Sequence, residues 1–152
     1  MTGELILPAG ILIVDDDDEM ASVWADALRL FKVPIVCVHS GFEAVETCQQ
    51  QPFAVVLLDI GLGKSINGMQ TADLVTDMQC VPIIFVTGRY PDEVHRCMGQ
   101  GAVDFLLKPL PLPILRAKVA VFLRLHALQE KLRRLRTIAL EAGATLPAGL
   151  WD

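Results

Sequence analysis

The sequence lacks the residues of a disulfide or metal framework and the long apolar runs of a membrane protein. Its 152 residues include four scattered cysteines, with no C-x-x-C pair and no histidine at metal-ligand spacing: Cys37, Cys48, Cys80 and Cys97. Such cysteines are typical of core residues in a reduced, cytoplasmic protein. No apolar run approaches the roughly 18 residues of a membrane span, and the N-terminal residues lack the pattern of a signal peptide. We therefore expect a soluble, cytoplasmic chain with no membrane partner.

Charge is scarce and unevenly divided along the chain. Charged residues make up 20% of the sequence and hydrophobic residues 53%, which predicts one domain with a well-buried core. The net charge of −5 gives no reason to expect nucleic acid as a direct partner. Residues 1–112 hold 6 of the 13 basic and 15 of the 18 acidic residues, a net of −9, whereas residues 113–152 have a net of +4. The chain therefore has an acidic body and a basic tail.

Five short apolar runs alternate with helical patterns. The runs cover Gly10–Val14, Pro34–Val38, Phe53–Leu58, Val81–Val86 and Ala102–Leu107. The third run is apolar on both faces, which predicts a strand inside a parallel sheet. Between the runs we expect a helix from the cap Ser40 through Gln50, with Phe42, Val45 and Cys48 on its inner face. We also expect a helix over Asp92–Gln100 and a long helix from Leu112. The fold class is thus α/β, a doubly wound five-stranded parallel sheet with an extended C-terminal helix; the flavodoxin-like order 2-1-3-4-5 is a prior for such chains.

Polar side chains follow four of these runs: Asp15 and Asp16 the first, Asp59 the third, Thr87 the fourth and Lys108 the fifth. Because right-handed crossovers bring the strand ends to one edge, we expect these side chains to lie together. Crowded carboxylates repel one another unless a cation lies among them, and oxygen ligands suit Mg²⁺. A carboxylate beside Mg²⁺, a hydroxyl and a lysine can accept a phosphoryl group, with Asp59 as the nucleophile. The alternative is a set of unrelated loop residues.

The segments ILIVDDDDE, VVLLDI, IIFVTG and AVDFLLKP resemble, in order and spacing, the receiver domain of two-component response regulators, the CheY-like family. The resemblance covers about residues 10–125. It implies that Asp59 is phosphorylated by a histidine kinase or a phosphotransfer protein. It also implies that Asp16 binds Mg²⁺ directly with the help of Asp15, and that the backbone carbonyl of Gly61 completes the metal site.

The resemblance further implies a conformational switch made by Thr87 and Phe105, in which the aromatic ring turns inward as Thr87 moves toward the phosphoryl group. Phe105 is often tyrosine in the family, so we expect this switch to work by packing. Receivers usually carry a proline four residues after the phosphorylated aspartate and a glycine at eight, whereas here Gly63 replaces the proline and Gly68 comes at nine. Gly61 and Arg89 occupy the positions that tune dephosphorylation in receivers. Gly61 has no side chain to orient a water molecule, which predicts slow hydrolysis of the acyl phosphate.

The last helical pattern contains a heptad seam, with spacings that alternate between four and three residues. The seam comprises Ile114, Lys118, Val121, Leu125, Leu128, Leu132, Leu135, Ala139 and Ala142. Up to Leu125 we expect the seam to pack on the sheet, and beyond it to pair with a second copy as a homodimer. Basic residues beside the seam are interpreted as a solvated face rather than a nucleic-acid site. The expected organisation is a receiver domain over 1–125, a helical coiled-coil extension over 126–142 and a linker or tail over 143–152.

Three functions are compatible with these residues. The first is a signalling receiver that catalyses its own aspartyl phosphorylation and dephosphorylation and has no separate metabolite as substrate. The second is a receiver-fold interaction or dimerisation module that works without phosphorylation because of its altered loop. The third is a Mg²⁺-dependent phosphatase for small substrates, which shares the nucleophile but lacks an evident general acid. Phosphorylation of Asp59 and Mg²⁺ binding distinguish the first from the second.

Overall fold

The structure is a computed structural model that describes residues 9–61, 66–79, 81–88 and 104–143, and its centre is a five-stranded sheet. The strands are β1 (Gly10–Val14), β2 (Ile35–Val38), β3 (Phe53–Asp59), β4 (Ile83–Thr87) and β5 (Asp104–Leu107). Their order is β2-β1-β3-β4-β5, and each neighbouring pair is parallel. This confirms the predicted doubly wound sheet and its strand order.

Four α-helices are described. They are α1 (Asp18–Leu28), α2 (Gly41–Gln50), α3 (Gly68–Gln79) and the C-terminal helix (Leu112–Glu141). The Asp17 carboxylate accepts hydrogen bonds from the first N–H groups of α1, and the Ser40 hydroxyl accepts one from Glu43, so each cap satisfies donors that a helix start leaves open. The predicted helix over Asp92–Gln100 lies outside the described residues. Within the described residues, no helix is long and apolar enough to cross a membrane.

The sheet is buried on both faces, which explains the unbroken apolar runs. Side chains alternate along each strand: Leu12, Val56 and Phe85 face the layer of α2 and α3, whereas the neighbouring Ile13 and Leu57 face α1 and the C-terminal helix. All seven residues of β3 are buried. The side chains at the ends of the central strands therefore lie at an edge of the sheet from which water is largely excluded.

Two predictions of side-chain direction are wrong. Phe42, expected on the inner face of α2, is 59% exposed, because Ala44 and Cys48 take the buried positions of that helix. In the C-terminal helix, Leu115 and Val119 are the buried residues, whereas Val121 and Leu125 of the seam are 62% and 45% exposed. The residues that face the sheet begin at Leu115, one position after the first seam residue, Ile114. A shift of one position turns the buried face by about 100° around the helix axis. The seam therefore faces solvent before as well as after Leu125.

Candidate functional site

The carboxyl ends of four strands meet at one edge of the sheet and bring the predicted site residues to the same level. Asp59 is the last residue of β3 and is paired in register with Val86, and Thr87 is the last residue of β4 and is paired with Leu107. The N–H of Lys108 donates to the carbonyl of Thr87 at 2.8 Å, which ties the chain after β5 to the end of β4. The parallel topology alone thus assembles this edge.

Asp59 is held in one orientation. Its side chain is 9% exposed, and its Oδ2 lies 3.0 Å from the Lys108 Nζ. Its Oδ1 accepts the N–H of Gly61 at 2.8 Å. A Cβ built on Gly61 would approach that Oδ1 to 3.3 Å, tighter than most real Cβ contacts, so glycine leaves the carboxylate room. Both oxygens are engaged, one by a cation and one by the backbone. The predicted metal-binding role of the Gly61 carbonyl stays a prediction.

Asp15 is the most deeply buried charge of the site. It is 0% exposed, and its Oδ1 accepts the N–H of Asp17 at 3.0 Å. Its Oδ2 has no hydrogen-bond partner among the described residues and lies 3.8 Å from the Lys108 Nζ. Burial raises the pKa of Asp15 to about 6, the hydrogen bond from Asp17 opposes that rise, and the charge of Asp59 adds to it. The positive charge near the Asp15 carboxylate therefore does not fully offset the cost of burying it.

The third carboxylate, on Asp16, is exposed and completes an acidic cluster. Oxygen atoms of Asp15, Asp16 and Asp59 all lie within 4.8 Å of one another. Three carboxylates at this spacing, together with a buried oxygen that has no hydrogen-bond partner among the described residues, fit a hard divalent cation such as Mg²⁺. The cluster can therefore hold a metal ion, as the sequence predicts.

Lys108 is the positive centre of the site. Burial acts to lower the pKa of its ammonium, but the carboxylates of Asp59, Asp15 and Asp16 outweigh burial, so its pKa lies above the ordinary value. The ammonium also lies 5.6 Å from the centroid of the Trp24 ring. That distance permits a cation–π interaction. One lysine therefore contacts both carboxylates and an aromatic face.

Trp24 is a site residue that the sequence reasoning missed. It lies on α1, is 0% exposed, and belongs to the hydrophobic layer under β1 and β3. Its position at helical spacing indicates a core residue, and it is one. Only the three-dimensional arrangement shows that the same ring lies beside the Lys108 ammonium. The sequence has no local signal for this second role.

Gly68, nine residues after Asp59, lies where α3 begins close to the end of β3. A Cβ at this position would lie 2.8 Å from both the Asp59 carbonyl oxygen and the Ile60 Cα, so only glycine lets α3 begin against the chain that leaves β3. Thr87 is 2% exposed at the edge, and Phe105 is half-buried on β5 beside Phe85. Gly63 and Arg89, to which the sequence assigns roles, lie outside the described residues.

Comparison with known proteins agrees with this architecture. Residues 11–120 match the model of the response regulator receiver domain. A probable cyclic di-GMP phosphodiesterase of Vibrio cholerae is 30% identical over 82% of this chain and 29% of its own length. The transcriptional regulatory protein CpxR of Escherichia coli K12 is 31% identical over 75% of this chain and 49% of its own length.

Solved structures give the same result. A two-component response regulator from Clostridium difficile superposes with a TM-score of 0.72 at 26% identity, covering 76% of this chain and 96% of that one. The chain spans less than half the length of the two curated relatives described above, 29% and 49% respectively. The match over residues 11–120, together with the sheet order, identifies the chain as a member of the response regulator receiver domain family.

Proposed function

We propose that this chain is a phosphorylation-dependent signalling domain in which Asp59 accepts a phosphoryl group from a histidine kinase or a phosphotransfer protein. The single observation that carries the proposal is the fixed Asp59 carboxylate, held between the Lys108 ammonium at 3.0 Å and the Gly61 N–H at 2.8 Å within an acidic cluster. Receiver domains take phosphoryl groups from such donors. A cytoplasmic location is part of the same proposal.

In the proposed reaction an Asp59 oxygen attacks phosphorus in line with the bond to the donor. When the donor is a phosphohistidine, the P–N bond breaks and its electron pair stays on the imidazole nitrogen. Asp15, Asp16 and Asp59 would hold Mg²⁺, which when bound supplies positive charge against the phosphoryl oxygens. Lys108 neutralises charge on the same group, and the Thr87 hydroxyl hydrogen-bonds one of its oxygens. These residues thus position the phosphoryl group and neutralise its charge, and they supply little covalent chemistry.

The proposed output is a change in packing. Thr87 lies at the end of β4, and Phe105 lies on the neighbouring strand, so a movement of Thr87 toward a phosphorylated Asp59 changes the space beside β5. Phe105 has no hydroxyl, and its ring would turn inward through apolar contacts alone. Return to the resting state depends on hydrolysis of the acyl phosphate, which we propose is slow because Gly61 has no side chain to orient water.

Incubation of the full chain with Mg²⁺ and acetyl phosphate, followed by intact mass measurement, tests this function. We expect the mass of one added phosphoryl group. Asp59→Asn should abolish the addition. The matched control is Asp26→Asn, which removes the same charge from an exposed carboxylate paired with Arg29, and it should be phosphorylated like the parent. Addition that persists in Asp59→Asn contradicts the proposal.

A receiver-fold interaction module that needs no phosphorylation is the second candidate, favoured by the exposed leucines of the C-terminal helix. In this candidate residues 126–142 act as a helical extension of a receiver domain over 1–125, and residues 143–152 are a linker or tail. A chain that binds its partner equally well before and after exposure to acetyl phosphate, and whose mass does not change, belongs to this class. In either candidate, the homodimer predicted from the heptad seam would use the same exposed leucines.

A further inference from the structure

The C-terminal helix carries an apolar stripe that does not pack on the described core of the domain: Val121, Leu125, Leu128, Leu132 and Leu135. These residues are 62%, 45%, 50%, 47% and 50% exposed respectively. Their spacing alternates between four and three residues, which places them at the a and d positions of a heptad. Among the described residues, none after Leu123 on this helix belongs to either core cluster. The apolar stripe therefore has the geometry of a helix-pairing surface.

The residues that flank the apolar stripe carry charge of one sign. With Leu125 and Leu132 at a positions, the g positions hold Arg124 and Lys131, and the e positions hold Gln129 and Arg136. The two acidic residues of this helix, Glu130 and Glu141, lie away from the e and g positions, and the Glu130 carboxylate is 2.6 Å from the Arg133 guanidinium, beside a cavity that Ala9 and Pro52 also line. Both flanks are thus basic or neutral. In a coiled coil the e and g residues set the choice of partner.

A second copy is a poor occupant of the apolar stripe. In a parallel pair each g residue faces the e residue of the next heptad, so Lys131 of one copy meets Arg136 of the other. In an antiparallel pair g faces g and e faces e, which again brings basic residues together. Like charges along a seam of five large apolar residues oppose association. The flanks therefore select against self-pairing.

A nucleic acid or a lipid surface also fits the apolar stripe less well than a helix does. Phosphate groups would contact the basic flanks but leave the leucines between them exposed. Membrane-surface helices present a broad apolar face, whereas between Val121 and Leu135 the large exposed apolar residues of this helix lie on the narrow a and d seam. The body that bears the helix has a net charge of −9 over residues 1–112, which anionic lipid headgroups repel.

We propose that the apolar stripe docks an amphipathic helix of another protein, one with apolar residues at matching heptad positions and with Asp or Glu on both flanks. The apolar seam supplies contact area, and opposite charges at e and g select this partner over a second copy. The interaction goes beyond the proposed phosphorylation, since no residue of the apolar stripe lies at the carboxyl edge of the sheet.

Two synthetic helices test the proposal on the full chain. Both have three heptads with leucine at a and d; one has glutamate at e and g, and the other has lysine. Fluorescence anisotropy with labelled peptides measures binding to the unmodified chain. We expect the glutamate peptide to bind at least tenfold more tightly than the lysine peptide, and to weaken as salt rises because exposed charges are screened. Equal binding of the two peptides, or binding of neither, overturns the proposal.

A matched pair of charge reversals locates the surface. Lys131→Glu alters a flank of the apolar stripe, whereas Arg134→Glu makes the same charge change three residues later at a position away from the flanks; both residues line the cavity beside Ala9 and Pro52. Lys131→Glu should reduce the preference for the glutamate peptide severalfold, and Arg134→Glu should leave it nearly unchanged. Leu128→Asp should abolish binding of the glutamate peptide while far-ultraviolet circular dichroism keeps its parent shape.

Two further outcomes overturn the proposal. The first is a chain that sediments as a dimer that the glutamate peptide cannot dissociate, since the occupant would then be a second copy. The second is tighter binding of the apolar stripe to vesicles of anionic phospholipid, or to a DNA duplex, than to the glutamate peptide. A chain that sediments as a monomer and binds the glutamate peptide supports the proposal.

Discussion

The carboxyl edge of the sheet and the outer half of the C-terminal helix both depend on charge, but they use it in opposite ways. At the edge, the buried Asp15 and Asp59 carboxylates share one ammonium, so each group depends strongly on its neighbours. On the helix, Arg133 and Glu130 form an exposed pair that contributes little to stability. Burial thus turns a few charges into a chemical site, while exposure leaves charges free to select a partner.

The largest effect should come from Lys108→Met, which removes the cation from the edge. Phosphorylation of Asp59 should slow by about 100-fold or more because charge on the phosphoryl group is no longer neutralised. The free energy of unfolding should fall by about 1–3 kcal/mol, since two buried carboxylates lose their partner. Mass spectrometry and chemical denaturation measure the two quantities.

Lys118→Met is the control for that variant. It breaks the 2.7 Å pair between Lys118 and Asp104, which lies away from the acidic cluster. It should be phosphorylated at the parent rate. Mg²⁺ should raise the melting temperature of Lys108→Met more than that of Lys118→Met, because only the first has lost positive charge at the cluster. Equal responses to Mg²⁺ would contradict the account of the edge.

Truncation of two leucines on the C-terminal helix separates its two faces. Leu115→Ala should lower the free energy of unfolding by about 2–5 kcal/mol because Leu115 is fully buried against the sheet. Leu128→Ala, the same truncation on the apolar stripe, should change it by less than about 0.5 kcal/mol. Urea denaturation measures both. A large loss in Leu128→Ala under monomeric conditions would show that the apolar stripe is covered by the chain itself.

The close approach of α3 to the end of β3 gives a smaller effect. Gly68→Ala places a Cβ against the Asp59 carbonyl oxygen and should destabilise the fold by about 1–3 kcal/mol while it slows phosphorylation. Gly88→Ala is the matched control, because a Cβ at that position meets no atom of the described residues within 4 Å. Thermal melts of the two variants should differ accordingly. Equal melting temperatures would exclude a tight contact at Gly68.

The smallest predicted signal is optical. In a Trp151→Phe background Trp24 is the only tryptophan, and its buried ring lies 5.6 Å from the Lys108 ammonium. Addition of Mg²⁺ should change the Trp24 emission, because positive charge at the cluster alters the field and the position of Lys108. Asp16→Asn should weaken the apparent Mg²⁺ affinity of this response. Emission that does not respond to Mg²⁺ would show that Trp24 does not sense the metal site.

The sequence predicted the sheet and the assembly of its edge because both follow from strong rules. Apolar runs such as Phe53–Leu58 are typical of strands buried on both faces of a parallel sheet, and parallel strands place Asp15 and Asp59 at the same end. The strand order came from a prior for chains of this kind, and the structure confirms it. The roles of Asp59 and its neighbours in phosphoryl transfer stay predictions until they are measured.

The sequence failed where two faces of one helix have the same composition. Ile114 and Leu115 are equally apolar neighbours, yet one is 47% exposed and the other is buried. Periodicity shows that a stripe exists but does not show which stripe meets the sheet. The same limit hid Trp24, whose contact with Lys108 joins residues that are far apart in the chain. The expected homodimer stays a prediction, and the basic flanks of the apolar stripe argue against it.

The central claim is that Asp59 accepts the phosphoryl group, and reductive trapping tests it most directly. Treatment with Mg²⁺ and acetyl phosphate, then borohydride, converts an aspartyl phosphate into homoserine, which peptide mass mapping locates in the chain. We predict homoserine at position 59, with Asp15 and Asp16 unchanged. Homoserine at another position, or an unmodified Asp59 in protein that remains folded, would contradict the account.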